Sequence, residues 1–374
     1  MIPFNKPYLT GKETNYIKDA VDFGRISGNG LFTKKCQEFF EGKYGFKKTF
    51  LTTSCTDALE MCAILADIKV GDEVIIPSYT FVSTALAFVR QGAKIIFADS
   101  CDQLPNIDAD KLELLITKKT KAIVPVHYGG IACDMDPIMA LAAKYNLLVI
   151  EDAAPAIDSY YKERPLGSIG HMAAFSFHET KNINSGEGGL LVINDERFIK
   201  RAEIVWEKGT NRAAFFRGEV DSYSWVDIGS SFLPSEIVAA YLWAQLNEMG
   251  MIQAKRKRIG ELYDAGLTTW AKEHGIDLPY LPGYASYNGH SFYLVCNTSS
   301  ERDRLIEYLN SHEINAVFHY QSLHKSPYYA AKHKGEDLLN SNRFSDQLVR
   351  LPFYYELTDE EVQRIINLVK EFKF

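Results

Sequence analysis

Between about residues 49 and 195, short apolar runs alternate with stretches of helical periodicity. This alternation limits the possible folds more than any other feature of the chain. Strands are expected at Thr49–Thr53, Glu73–Pro77, Lys94–Ala98, Ala122–Val126, Leu147–Asp152, Ala173–Phe177 and Gly189–Asn194. Helical patterns fall near 56–68, 81–91, 109–117 and 134–145. Such a rhythm reads as an α/β unit with a mostly parallel sheet covered on both faces. Ligands of these sheets sit beyond the carboxyl ends of the strands. Asp152 and the Ser54 turn both fall at such ends.

A long helical pattern runs from about Pro234 to His274 and reads as a bridge to a second unit. Strands are then expected near Phe292–Cys296 and Ala316–His319, and helices over Glu301–His312 and Thr358–Phe372. A chain of 374 residues has room for two domains. The expected division is a large domain, 1–250, and a smaller α+β domain, 251–374.

Net charge is -7, so there is no excess of base to hold nucleic acid. The densest basic cluster, Lys255-Arg256-Lys257-Arg258, reads as a solvated helix face. Six cysteines lie far apart with no C-x-x-C pair, which argues against a zinc knuckle and a disulfide framework. The N-terminus does not resemble a signal peptide, and no apolar run approaches a membrane span. A cytoplasmic setting is expected, with no membrane or nucleic-acid partner.

Two groups carry the chemistry. Ala173–Phe177 is a buried-looking run, soon followed by Lys181 and by Gly186-Glu187-Gly188-Gly189. A lysine in a dry pocket has a depressed pKa and becomes a nucleophile. Asp152 ends an otherwise apolar strand; alone it could equally cap a helix. Together they offer an amine and a buried carboxylate, the pair that pyridoxal phosphate (PLP) chemistry requires. Glu151 should face the opposite way and be structural. Ser54-Cys55-Thr56-Asp57 stands where a strand meets a helix; it reads as an N-cap or as an anion site. The glycines read as a tight turn that brings a strand past the lysine. Phe81 could stack on a flat cofactor or pack in the core. His127, His178, His319 and His324 lack metal-ligand spacing.

Taken in order, Thr52–Leu59, Pro77–Thr84, Pro125–Gly129, Glu151–Ala154, Phe175–Gly189 and Arg350-Leu351-Pro352 resemble the PLP-dependent nucleotide-sugar aminotransferases of the DegT/DnrJ/EryC1 type. Phe175–Asn182, Lys208–Arg212, Phe215–Gly218 and Asp227–Ser231 look most like the transaminases acting on dTDP-4-keto-6-deoxyglucose. The resemblance implies the aspartate aminotransferase fold (fold type I) and a homodimer with active sites at the subunit interface. It implies Lys181 as the Schiff-base lysine and Asp152 as partner of the pyridinium nitrogen. Cys55, Thr56 and Ser176 would hold the phosphate, Phe81 would stack on the ring, and Ser231 would belong to a phosphate loop crossing between subunits. His319 and Arg212 are implied as substrate-binding residues.

The activity implied is transfer of the amino group of L-glutamate to C4 of dTDP-4-keto-6-deoxy-D-glucose, yielding 2-oxoglutarate. The product would be a dTDP-4-amino-4,6-dideoxyhexose, with the galacto form favoured. The setting implied is synthesis of a surface polysaccharide such as O-antigen, lipopolysaccharide or enterobacterial common antigen. The chain departs from the family at Pro155, where Gln is usual, and at Ser231, where Asn is frequent. Proline cannot donate the glutamine's hydrogen bond, so a cofactor hydroxyl there needs another partner or water. Related sugar dehydratases carry His at the lysine position, so Lys181 argues against that activity. An NAD-dependent oxidoreductase lacks support, because no glycine fingerprint follows a first strand. Pro155 keeps a non-catalytic paralogue open as a further alternative.

Overall fold

The computed structural model describes residues 1–373. Its strands, in chain order, are β1 (Lys48–Thr52), β2 (Glu73–Pro77), β3 (Lys94–Ala98), β4 (Thr120–Ile123), β5 (Leu148–Asp152), β6 (Tyr160–Tyr161), β7 (Arg164–Pro165), β8 (Met172–Ser176), β9 (Gly189–Ile193), β10 (Tyr293–Val295), β11 (Val317–Phe318) and β12 (Leu348–Arg350). Seven of them form the central sheet in the order β1-β9-β8-β5-β4-β2-β3. Only β9 runs antiparallel to its neighbours, β1 and β8. The hairpin β6–β7 lies between β5 and β8 in the chain.

Strand alternation explains why both faces are apolar. Leu51, Ile75, Ile123, Val149 and Leu190 point into one core, with the helices Leu31–Tyr44 and Met135–Tyr145. Phe50, Ile76, Ala122, Ile150 and Leu191 point into the other, with the helices Cys55–Leu65 and Val82–Arg90. The mostly parallel sheet covered on both faces is therefore the one expected.

Neither edge of the sheet is bare. At β3 the Ile95 N–H donates to the Tyr329 hydroxyl at 2.7 Å. At β1, Gln37 Nε2 donates to the Thr49 carbonyl, Trp206 Nε1 to the Leu51 carbonyl, and the Thr49 N–H to Glu41 Oε1.

A third apolar cluster joins Ile259, Tyr263 and Leu267 to Phe292, Leu305, Val349 and Ile365. β12 is its central strand, antiparallel to both β10 and β11. Capping boxes, Thr298 with Glu301 and Thr358 with Glu361, start the helices Ser299–Ser311 and Asp359–Glu371. Ile2 packs here as well, and its N–H donates to the Glu313 carbonyl at 2.7 Å.

Three expectations change. The pattern near 109–117 forms a 3-10 helix, Ala109–Leu115: Asp108 caps its start, and Ile116 is already extended. The span from Pro234 to His274 is two helices, Glu236–Asn247 and Met249–His274, broken at Glu248 between the weak helix formers Asn247 and Gly250. The strand expected over Ala122–Val126 ends at Ile123, and Val126 touches β5 only through an isolated bridge to Asp152.

Candidate active site

Beyond the carboxyl ends of β5 and β8 lies a cavity of about 450 Å³. Lys181, Asp152, Cys55, Thr56, Phe81, Ser176 and His319 all line it. Segments distant in sequence therefore converge on one place.

Lys181 is held by its own loop. The Phe177 N–H donates to the Gly188 carbonyl and the Ser185 N–H to the Phe177 carbonyl, each at 2.8 Å. The next residue, Asn182, anchors the loop: its Nδ2 donates to Gln253 Oε1 and to the Asn288 carbonyl, both at 2.9 Å. Burial pushes the Lys181 amine below the ordinary lysine value; Cys55 and Asp152 oppose this, while Arg350 adds to it. Among the described residues that amine has no hydrogen-bond or ion-pair partner. It is free to react with a carbonyl.

Asp152 is 5 % exposed. Thr84 Oγ1 donates to its Oδ2 at 2.7 Å, and the Ala154 N–H to its Oδ1 at 3.1 Å. Burial raises its pKa against the pull of Thr84, Ala154, Lys181 and His127. A carboxylate with spare lone pairs facing a cavity suits a protonated ring nitrogen.

The helix Cys55–Leu65 opens onto the same cavity. Ser54 caps it, accepting from the Asp57 N–H at 3.1 Å, so the capping reading holds; the helix start also lines the cavity, as an anion site would require. Thr56 Oγ1 lies 2.8 Å from Ser83 Oγ. β9 begins here, with Gly189 in register between Thr52 and Ser176. A Cβ on Gly189 would stand 2.4 Å from the Ser54 carbonyl, so only glycine lets the strand pass the helix end. Phe81 is 55 % exposed, which sets aside core packing and leaves its ring open to a flat ligand. These donors and this carboxylate fit pyridoxal phosphate: Ser54–Thr56 and Ser176 would hold its phosphate, Asp152 its ring nitrogen and Lys181 its aldehyde carbon.

Arg212 and Ser231 do not join the cavity of their own chain. Both are exposed, and they lie on a segment that also exposes Phe216, Trp225 and Ile228. His127 and Glu151 are structural: Glu151 accepts from His127 Nε2 and from the N–H groups of Gly167, Ile169 and Gly170. His324 is buried against Ser78, away from the cavity. Several residues of the site carried no signal of their own in the sequence: Thr84, which holds Asp152 from behind the cavity wall, and the lining residues Phe4, Tyr128, His290 and Arg350. Thr84 stood only as the end of the Pro77–Thr84 segment; in the fold its hydroxyl also meets that of Thr80, 2.9 Å away. Phe4 was not marked at all, because nothing local announces that the N-terminus crosses to this place.

Comparison with known proteins agrees with the geometry. Residues 7–370 match the DegT/DnrJ/EryC1/StrS aminotransferase family. GDP-perosamine synthase of Caulobacter vibrioides is 33% identical, over 96% of this chain and 95% of its own. DesV of S. venezuelae, solved in complex with a ketimine intermediate, superposes with a TM-score of 0.90 at 28% identity, covering 99% of this chain and 98% of that one. Spr1654 of Streptococcus pneumoniae, solved in a PMP form, gives a TM-score of 0.90 at 28% identity over 99% and 98% of the two chains. The protein is a PLP-dependent transaminase, and it belongs to the DegT/DnrJ/EryC1/StrS aminotransferase family.

Proposed function

We propose that this enzyme transfers the amino group of L-glutamate to C4 of a nucleotide-linked 4-keto-6-deoxy sugar. The substrate we favour is dTDP-4-keto-6-deoxy-D-glucose, which would give the galacto-configured dTDP-4-amino-4,6-dideoxyhexose. The single observation that carries the transamination is Lys181, an unpartnered amine that burial holds below its ordinary pKa in a cavity shared with Asp152. When bound, pyridoxal phosphate supplies an electron sink for the carbon that loses its proton. Lys181 Nζ moves that proton: it takes it from the α-carbon of the donor and returns a proton to C4 of the sugar. Asp152 keeps a positive charge on the ring nitrogen. Thr84 and the Ala154 N–H fix the carboxylate for this task.

The likeness of Lys208–Arg212 and Asp227–Ser231 to the dTDP-sugar enzymes supports the thymidine reading. The similarity to GDP-perosamine synthases, at 33% and 30% identity, favours a second reading with a GDP-linked sugar. We further propose a cytoplasmic homodimer of two-domain chains, divided near residue 250 and serving surface-polysaccharide synthesis. In that assembly Arg212 and Ser231 would reach the partner's cavity. The exposed Phe216, Trp225 and Ile228 on their segment support this arrangement.

The test is an absorbance spectrum of the PLP-loaded protein, with L-glutamate and then with each keto sugar. Loss of the cofactor band with glutamate and its return with the dTDP sugar is expected. Return only with a GDP sugar would overturn the thymidine reading. A band that ignores every amino acid would overturn the transfer itself.

A further inference from the structure

Pyridoxal phosphate carries its aldehyde between two ring substituents, the phosphate arm on one flank and a hydroxyl on the other. The ring nitrogen lies across from the aldehyde. Lys181, Asp152 and the Ser54–Thr56 and Ser176 group would hold the aldehyde carbon, the nitrogen and the phosphate. The order of the sheet then decides where the hydroxyl turns. The phosphate residues stand at the ends of β1 and β8, Asp152 ends β5, and the chain leaving β4 reaches Gly129 on the cavity wall. β5 lies between β8 and β4. With the phosphate on the β8 side, the hydroxyl faces the β4 side. Once the aldehyde is joined to an amine, that ring oxygen carries negative charge and calls for a hydrogen-bond donor.

The turn after Asp152 supplies none. The Ala154 N–H is spent on Asp152 Oδ1, Pro155 has no N–H, and the Ala156 N–H donates to the Ala153 carbonyl at 2.8 Å. His290 lines the same wall but can only accept. Asn182 Nδ2 spends both hydrogens, on Gln253 Oε1 and on the Asn288 carbonyl. Asn182 Oδ1 must then accept, so His290 Nδ1, 3.0 Å away, carries the proton. Burial, with Lys181 and Arg350 adding to it, holds the His290 pKa well below the ordinary value, so Nε2 offers a bare lone pair. The Tyr128 hydroxyl is engaged with His319 Nδ1 at 2.8 Å. Tyr320 stands with Phe81, 6.0 Å between ring centres, on the side where a cofactor face would stack.

Ser291 remains. It is 4 % exposed and lines the cavity, and its hydroxyl has no hydrogen-bond partner among the described residues. It stands on the β4 side, since a Cβ added to Gly129 would lie 3.4 Å from Ser291 Oγ. Asn288, three residues earlier, ties the same segment to the Pro155 carbonyl, its Nδ2 donating at 2.8 Å. A hydroxyl in so buried a residue costs free energy until a partner satisfies it. With Lys181 and Asp152 as the other anchors, we infer that Ser291 donates a hydrogen bond to the ring oxygen of pyridoxal phosphate, on the flank opposite the phosphate. That donor stabilises the negative oxygen most strongly after the neighbouring nitrogen, joined to the cofactor, has lost its proton. The wild-type chain therefore releases this proton at lower pH than a chain without the hydroxyl.

The experiment compares wild type, S291A and S291T with two cofactors, pyridoxal phosphate and its analogue lacking the ring hydroxyl. Affinities are read by fluorescence titration of cofactor-free protein, and the loaded protein is titrated with pH by absorbance. In wild type, the analogue should bind about 10-fold more weakly than pyridoxal phosphate, a comparison that needs no variant. S291A should weaken pyridoxal phosphate by about 10-fold and the analogue by less than about 2-fold. The pH midpoint of the change in the cofactor band should rise by about 1 in S291A. S291T keeps the hydroxyl and should preserve both the preference and the midpoint. Equal weakening of the two cofactors by S291A, or an unmoved midpoint, would overturn the inference. Equal affinity of wild type for both cofactors would overturn it as well and leave the Lys181 and Asp152 anchors standing. A wild type that binds neither cofactor would overturn the anchors together with Ser291.

Discussion

Glu151 and Asp152 are consecutive on β5, and the pleat sends their carboxylates to opposite faces of the sheet. Glu151 is saturated by three backbone N–H groups and His127, all within the fold. Asp152 receives one side-chain and one backbone donor and faces the cavity. One strand end thus supplies a structural acid and a reactive one.

The structural acid governs stability at low pH. Burial opposes the charge on Glu151, but His127 and the Gly170 and Gly167 N–H groups prevail and hold its pKa below the usual carboxylate value. A depressed folded pKa gives stability above the unfolded pKa, and that stability is lost as pH falls through the folded one. Glu151→Gln should therefore cost about 2 kcal/mol near pH 7, with the gap to wild type closing below about pH 4. Urea melts across pH check this; a constant gap at all pH values would refute it.

Asp152 has the opposite sign. Its folded pKa is raised, chiefly by burial, so its contribution is most favourable below the unfolded pKa and is lost as pH rises through the folded value. In cofactor-free protein at neutral pH, Asp152→Asn should raise Tm. The same variant should lower the turnover of loaded enzyme by about 100-fold or more, because an amide cannot hold the ring nitrogen charged. Melting curves and turnover measured on one preparation would separate the two effects.

Gly189→Ala tests the close passage of β9 over the helix end. The new Cβ would meet backbone atoms of Ser54 and Cys55, which cannot swing aside as a side chain can. A destabilisation of about 1–3 kcal/mol is expected, with weaker retention of pyridoxal phosphate. Cofactor affinity by fluorescence titration should fall more than that of a surface Gly→Ala control.

Lys181→Ala removes both the amine that reacts and the base that carries the proton. Turnover should drop by more than about 10,000-fold. Because the amine has no partner in the protein, Tm of the cofactor-free form should fall little or rise. Measurable turnover in this variant would exclude the mechanism.

The sheet was legible because each strand declares itself locally. Val149 and Ile150 feed opposite cores, and β5 reads as an unbroken apolar run for that reason. The Lys181–Asp152 meeting was legible because both follow strand ends, which a parallel sheet gathers at one side. Arg350 was not, although it stood within a matching motif. It lies on a three-residue strand whose partners are far away in sequence, so no periodicity marks it. The break at Glu248 was also hidden, since apolar residues on either side keep one helical phase. Arg212 and Ser231 show a third kind of limit, because a single chain gives their exposed segment no cavity to line.

The side chains along both outer strands bear on how copies of this chain can meet. Open sheet margins are templates for strand addition between molecules. Here Tyr329 occupies that position at β3, and Gln37, Glu41 and Trp206 occupy it at β1. A second copy therefore meets a hydrogen-bonding rail already interrupted at Ile95 on one margin and at Thr49 and Leu51 on the other. Side-chain surfaces are then the simpler ground for association, and losing the Tyr329 or Trp206 contact would return a strand margin to any neighbouring chain.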